Sequence, residues 1–198
     1  MLALKKIAIT GGISSGKSTV CRILKEHGAY QVNSDDIVHR LISQDSACIQ
    51  QIVALLGSEV LVDGKVDRKK IAKQVFRDRE KLIALEAILH PRLFEEIEKE
   101  YKRAQKQNKY TAFVAEIPLI QEIGRSSEFD VIVAVICDEV LAKKRFVQEG
   151  FTQEDYDRRM SRQWNQKEKA NKADFTLTNN GTLEEFEQEV KKLITLLT

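Results

Sequence analysis

The chain is short of nearly every feature that marks a special class of protein. It has 2 prolines and 9 glycines in 198 residues, and no Pro- or Gly-rich tract that would link two domains. Its 3 cysteines, Cys21, Cys48 and Cys137, lie far apart and form no CxxC pair. That excludes a disulfide framework and a cysteine zinc site, and leaves reduced, buried thiols as the expectation. Neither sign of charge dominates: 32 Lys and Arg against 30 Asp and Glu give a formal net charge of +2. Bulk charge therefore draws the protein to neither nucleic acid nor membrane, and any anion site must be local. No apolar run nears the about 20 residues of a membrane span. The start, Met1-Leu2-Ala3-Leu4-Lys5-Lys6, lacks the apolar core and small-residue cleavage site of a secretory signal. Together these absences predict a cytoplasmic protein with no nucleic-acid or membrane partner.

What is present is the composition of a globular domain, 42% hydrophobic and 31% charged, long enough to bury a core without staples. Ile7-Ala8-Ile9 reads as a buried strand running into Thr10-Gly11-Gly12. Val20, Ile23 and Leu24 recur at helical spacing before a closing Gly28. A second strand fits residues 29–32, and residues 37–108 are almost wholly helical, with Asp67 as a cap and a stop or bend expected at His90-Pro91. Strands return at 111–117 and 129–137, the latter apolar enough for a central, doubly buried strand. A helix from 138 to 148 follows, and Thr152 with Asp155 forms a capping box for a charged helix to about Trp164. A last strand at 175–178 and a final helix capped by Thr182 and Glu185 complete the pattern, that helix burying Leu183, Phe186, Val190, Leu193, Ile194 and Leu197. Strands alternating with helices imply an α/β fold, a mainly parallel sheet covered on both faces.

The strongest chemical signal is Gly11-Gly12-Ile13-Ser14-Ser15-Gly16-Lys17-Ser18, which meets GxxxxGK[ST] at every fixed position and sits between a strand and a helix. Such a loop turns successive N–H groups inward, and the helix N-terminus adds positive potential where phosphate oxygens lie. Lys17 reaches the outer phosphates, the Ser18 hydroxyl suits a Mg²⁺ shell, and Thr19 is placed to donate to an inner phosphate. The motif alone is shared by GTPases, transport ATPases and small-molecule kinases. The length leaves little room for a motor or transporter, and Asn171-Lys172-Ala173-Asp174 has a GTPase-like spelling but precedes a strand instead of following one. In a parallel sheet the turn Ser34-Asp35-Asp36 after the second strand faces the same edge as the loop. A carboxylate there can take the proton of an attacking hydroxyl, or simply cap the next helix.

Across its whole length the chain resembles the dephospho-coenzyme A kinase family. The resemblance is carried by Ile9-Thr10-Gly11-Gly12-Ile13, Ser15-Gly16-Lys17-Ser18-Thr19, Asp36-Ile37, Leu89-His90-Pro91, Ile117-Pro118-Leu119-Ile120 with Glu122, and Ala173-Asp174 with Asn179-Asn180-Gly181, in that order. It implies phosphoryl transfer from ATP, with Mg²⁺, to the 3′-hydroxyl of dephospho-coenzyme A. It also implies a three-layer P-loop kinase core (1–36, 109–140 and 173–198), a helical acceptor-binding insertion at about 37–108, and a helical lid at about 141–172. Thr10, Asp36, His90, Pro118 and Glu122 are implied on the acceptor side, and Asn180 and Arg145 on the ATP side, with Arg159 swinging in with the lid. Two positions depart from the pattern. Ser14 replaces the usual glycine, which costs strain if φ is positive there. The usual Asp-x-Asp turn reads Ser34-Asp35-Asp36, so gapless alignment puts Asp36 at the second carboxylate and Ser34 at the first. Asp36 is favoured as the base, with Asp35 beside it.

Between residues 141 and 172 the chain carries nine Lys or Arg (Lys143, Lys144, Arg145, Arg158, Arg159, Arg162, Lys167, Lys169, Lys172) against five acids, the cation excess a lid over triphosphate needs. Glu116 and Asp138 each end a strand and are candidates to stand behind Mg²⁺; Trp164 suits packing within the lid. His27 and His39 have no metal-ligand spacing. The expected protein is a monomer or weak homo-oligomer acting on ATP and dephospho-coenzyme A. The alternatives are a kinase for a nucleoside, nucleotide or shikimate-like acceptor, and an ATP-sensing P-loop module without turnover.

Overall fold

The computed structural model describes residues 4–161 and 163–197; Met1–Ala3 and Arg162, the latter counted above among the lid cations, lie outside the described residues. Asn33–Glu100 form one compact unit and the remainder of the chain the other.

The larger unit is built on a five-stranded sheet of β1 (Lys6–Gly11), β2 (Tyr30–Asn33), β5 (Phe113–Glu116), β6 (Val131–Ile136) and β7 (Phe175–Thr178), in the order β2-β5-β1-β6-β7. The β1–β5, β1–β6 and β6–β7 pairs are parallel. Every residue of β1 is buried, as a strand covered on both faces requires. Ile7 and Ile9 point into a core shared with Val20, Ile23 and Leu24 of α1 (Lys17–Glu26) and Phe186, Val190 and Leu193 of α9 (Leu183–Leu197). Burying each of those large side chains contributes about 1.5–3 kcal/mol. The helices α6 (Glu139–Gln148), α7 (Gln153–Met160) and α8 (Gln166–Asn171) stand between β6 and β7 in the chain, and α8 packs on β1 and β6. Asp174 anchors the return to the sheet, its Oδ2 accepting from Ile132 N at 2.7 Å.

Three expectations are corrected. The charged helix after Thr152 ends at Met160, short of Trp164, because Asn165 and Glu168 form a further capping box that starts α8. Leu183, at the first turn of α9, is 55% exposed and not part of the core. The third concerns the other unit.

That unit holds α2 (Ser34–Gln44), α3 (Ser46–Leu56), the short hairpin β3 (Leu61–Val62) and β4 (Lys65–Val66), α4 (Arg68–Val75) and most of α5 (Arg79–Gln107). Asp45 ends α2 and caps α3 through Cys48 N at 2.8 Å, and Asp67 caps α4 as expected. Of the stop or bend expected at His90-Pro91, the stop is ruled out, since α5 runs on through Pro91. Proline in a helix interior costs about 3 kcal/mol. Here the buried stripe of Leu85, Leu89, Leu93 and Ile97 keeps its step of four across the proline, and that burial offsets the lost hydrogen bond. Among the described residues no helix is long and apolar enough to cross a membrane.

Candidate active site

The loop between β1 and α1 owes its shape to close backbone packing. Gly11 has φ 143°, and a Cβ there would stand 2.0 Å from the carbonyl oxygen of Val135. Gly16, at φ 107°, caps α1 without any side-chain hydrogen bond to the first turn. The leading N–H groups of α1 therefore have no side-chain cap, the arrangement that suits an anion. Ser14 has φ 48°, so the condition for strain is met. A left-handed serine costs about 1–2 kcal/mol, and its hydroxyl donates to Glu149 Oε1 at 3.2 Å. The Lys17 ammonium folds back over the loop and donates to the Gly12 carbonyl at 2.6 Å.

The parallel register sets Ile9 beside Glu116, which brings the end of β5 to the start of α1. Ser18 Oγ donates to Glu116 Oε1 at 2.9 Å. Of the two strand-ending acids, Glu116 is thus the one that meets the loop, while Asp138 offers its main-chain N–H to Asn180 Oδ1 at 2.8 Å. A hydroxyl backed by a carboxylate is a hard oxygen pair, and it fits Mg²⁺. Beneath it, burial and the neighbouring Glu116 carboxylate push the Cys21 thiol well above its ordinary value. Cys48 and Cys137 are also free and buried, and burial raises both, so none of the three is a poised nucleophile.

Sequence reasoning singled out Asn180 and passed over Asn179, yet Asn179 holds the loop. Its Nδ2 donates to Ser15 O at 2.9 Å, and it receives Arg145 Nη1 on its main-chain oxygen at 3.1 Å and Nη2 on Oδ1 at 3.4 Å. Its own N–H continues the β7 ladder to Ile136 O at 2.8 Å. One residue thereby ties the sheet, the phosphate loop and the arginine of α6 together. The Asn-Asn-Gly spelling was visible, but which amide faces the loop depends on where the strand ends.

The expected lid packs on the loop through Ile13, which lies against a cluster of Cys137, Ala142, Phe146, Tyr156 and Met160. The guanidinium carbon of Arg159 sits 4.8 Å from the Phe151 ring centre and 5.2 Å from that of Phe146. Lys143 pairs with Asp157 at 2.9 Å, and Lys172 lies 4.5 Å over the Trp164 ring. Lys169, counted above among the lid cations, is fully buried. Its Nζ donates to Pro118 O at 2.5 Å and pairs with Glu122 Oε1 at 2.7 Å. Burial lowers its pKa against the opposing pull of Glu122. Thr10 is buried too, and its hydroxyl donates to the same Pro118 oxygen at 2.8 Å.

Asp35, Asp36 and His90 belong to the unit Asn33–Glu100. Asn33, not either aspartate, caps α2, accepting from Asp35 N at 2.8 Å and Asp36 N at 3.4 Å. Both aspartates are exposed in the first turn of α2, while Ser34 is buried. The simple capping explanation for the two carboxylates is thereby removed. His90 is half-buried within α5.

Comparison with known proteins adds a family. A family model described as Dephospho-CoA kinase matches residues 5–185. The dephospho-CoA kinase of Protochlamydia amoebophila is 44% identical over 195 residues, covering 98% of this chain and 96% of that one. A solved Thermus thermophilus structure superposes with a TM-score of 0.83 at 30% identity over 98% of both chains. A dephospho-CoA kinase from Campylobacter jejuni does so with a TM-score of 0.62 at 26% identity, over 97% of this chain and 96% of its own.

Proposed function

The chain belongs to the dephospho-CoA kinase family, and from that premise we propose that it phosphorylates the 3′-hydroxyl of dephospho-coenzyme A with ATP, giving coenzyme A and ADP. The observation that carries the chemistry is the glycine-shaped loop with Lys17 folded over it and Ser18 paired to Glu116 at 2.9 Å. Uncapped N–H groups, an ammonium and a backed hydroxyl meet where a triphosphate tail would lie, with Thr19 in the first turn of α1 donating to an inner phosphate.

In the transfer, the acceptor oxygen forms a bond to the γ-phosphorus as the bond from that phosphorus to the β–γ bridging oxygen breaks. The hydroxyl proton passes to Asp36, or to Asp35 beside it. Lys17, released from the Gly12 carbonyl, follows the charge of the transferring group, and Arg145 supports it from α6. Arg159 leaves its place on Phe146 and Phe151 to do the same. An exposed cation–π contact of this kind is worth only about 0.5–1 kcal/mol, so a charged phosphate competes for it easily. Ser18 and the Glu116 carboxylate behind it would hold Mg²⁺. Such an ion would supply positive charge against the phosphate oxygens.

We assign acceptor-binding roles to Thr10, Asp36, His90, Pro118 and Glu122, a nucleotide-side role to Asn180, and the lid to residues 141–172. We read the enzyme as a cytoplasmic monomer or weak homo-oligomer. The deciding experiment is coupled ADP release from purified protein with ATP and Mg²⁺ across a panel of acceptors. Turnover with dephospho-coenzyme A, and little with nucleosides, nucleotides or shikimate, is the expected result. Turnover confined to another acceptor, or none, overturns the reading.

A further inference from the structure

Segment 165–172 is rich in charge, yet one of its lysines is removed from water entirely. Lys169 is 0% exposed while Lys167 on the same helix and Lys172 at its C-terminal cap are exposed. Taking an ammonium out of water costs several kcal/mol unless its partners are well placed, and here they are two oxygens of a single loop. Nζ reaches Pro118 O at 2.5 Å and Glu122 Oε1 at 2.7 Å. Pro118 O also receives Thr10 Oγ1 at 2.8 Å, and Glu122 Oε1 receives Trp164 N at 2.9 Å. Gln121 Nε2 returns the contact by donating to Lys169 O at 2.9 Å.

At its other end α8 is held as firmly. Gln166 Oε1 accepts Cys137 N at 2.7 Å, and its side chain crosses so close to Gly12 that a Cβ there would stand 3.1 Å away. A six-residue helix thus clamps both the phosphate loop and the loop after β5. A methionine could fill the same space, but only a cation demands that these two oxygens converge on one point.

We propose that Lys169 is a positioning residue for the phosphoryl acceptor: it fixes the loop 117–122, and with it the Pro118 and Glu122 that receive dephospho-coenzyme A. This rests on the acceptor assignment above. It also makes α8 the fixed base of the lid assigned to residues 141–172, so that any lid movement is carried by α6 and α7.

The test compares steady-state kinetics of wild-type protein and Lys169→Met, varying ATP and dephospho-coenzyme A in turn. The expected result is a split: the acceptor KM rises about tenfold or more while the ATP KM stays within about twofold. A general loss of structure would move both together. Gln121→Leu, which cuts one strut without touching the buried charge, should show the same split at about threefold, and it decides the matter if Lys169→Met does not fold. An unchanged acceptor KM in the folded variant, or equal rises for both substrates, overturns the role of Lys169. Wild-type protein that fails to turn over dephospho-coenzyme A overturns instead the acceptor assignment beneath it.

Discussion

Replacing Asn179 by alanine isolates what a residue outside the phosphate motif does for the motif. Its side chain makes one neutral hydrogen bond, to Ser15 O at 2.9 Å, and one long contact to Arg145 Nη2 at 3.4 Å. The main-chain contacts survive the change: Arg145 Nη1 keeps the Asn179 carbonyl at 3.1 Å, and Asn179 N keeps Ile136 O at 2.8 Å. A neutral bond of this kind is worth about 0.5–1.5 kcal/mol net, and the long charged one adds little, so the loss is about 1–2 kcal/mol. For a chain of this size that lowers Tm by about 2–8 °C. If the lost energy is that of holding the loop in its anion-binding shape, the ATP KM rises by about fivefold to thirtyfold. Asn179→Asp sharpens the test. One carboxylate oxygen still serves Arg145, but the other faces the Ser15 carbonyl with no proton between them, and a negative charge enters a site built for phosphate. Thermal unfolding with and without ATP, together with kinetics, should therefore rank ATP affinity as wild type, then Asn179→Ala, then Asn179→Asp. An aspartate variant equal to wild type, or an alanine variant with neither Tm nor KM changed, would refute the assignment of Asn179 as the brace of the loop.

Lys17→Ala should lower kcat by at least about a thousandfold while circular dichroism and Tm stay near wild type, since its ammonium folds over the phosphate loop, donating to the Gly12 carbonyl, and is not part of the hydrophobic core; near-normal turnover would show the loop to be misassigned. Asp36→Asn should slow turnover more than Asp35→Asn without loss of fold, because Asn33 supplies the cap of α2; equal and negligible effects would remove the base. Burial lowers the Lys169 pKa from its ordinary 10.5, so between the lowered folded value and 10.5 the unfolded chain binds the extra proton. Stability of wild type relative to Lys169→Met should therefore rise with pH through that window, and chemical denaturation showing a flat or falling difference would contradict the buried placement.

Much of the fold was legible from spacing. Ile7-Ala8-Ile9 before Gly11-Gly12, the apolar run 129–137 and the Thr152 and Thr182 caps are local signals, and the strands and helices stand where those signals put them. Where the reading failed, the deciding term was tertiary. Pro91 carries a local stop signal, but a stripe of buried leucines and an isoleucine runs through it. Leu183 has the period of a core residue but lies at the exposed start of its helix.

The phosphate loop is determined by sequence because its chemistry is main-chain chemistry: glycines at fixed spacing admit the positive φ and close approach that turn N–H groups inward, and Lys17 and Ser18 follow within the same turn of chain. The family, too, can be read from short ordered segments. Which partners those residues meet is a matter of which strands lie side by side. Glu116 reaches Ser18 across about a hundred residues only because β5 pairs with β1, and Asn179 reaches Ser15 only because β7 ends beside β6. Lys169 spells like its solvated neighbours, and only the packing of α8 on the sheet takes its charge out of water.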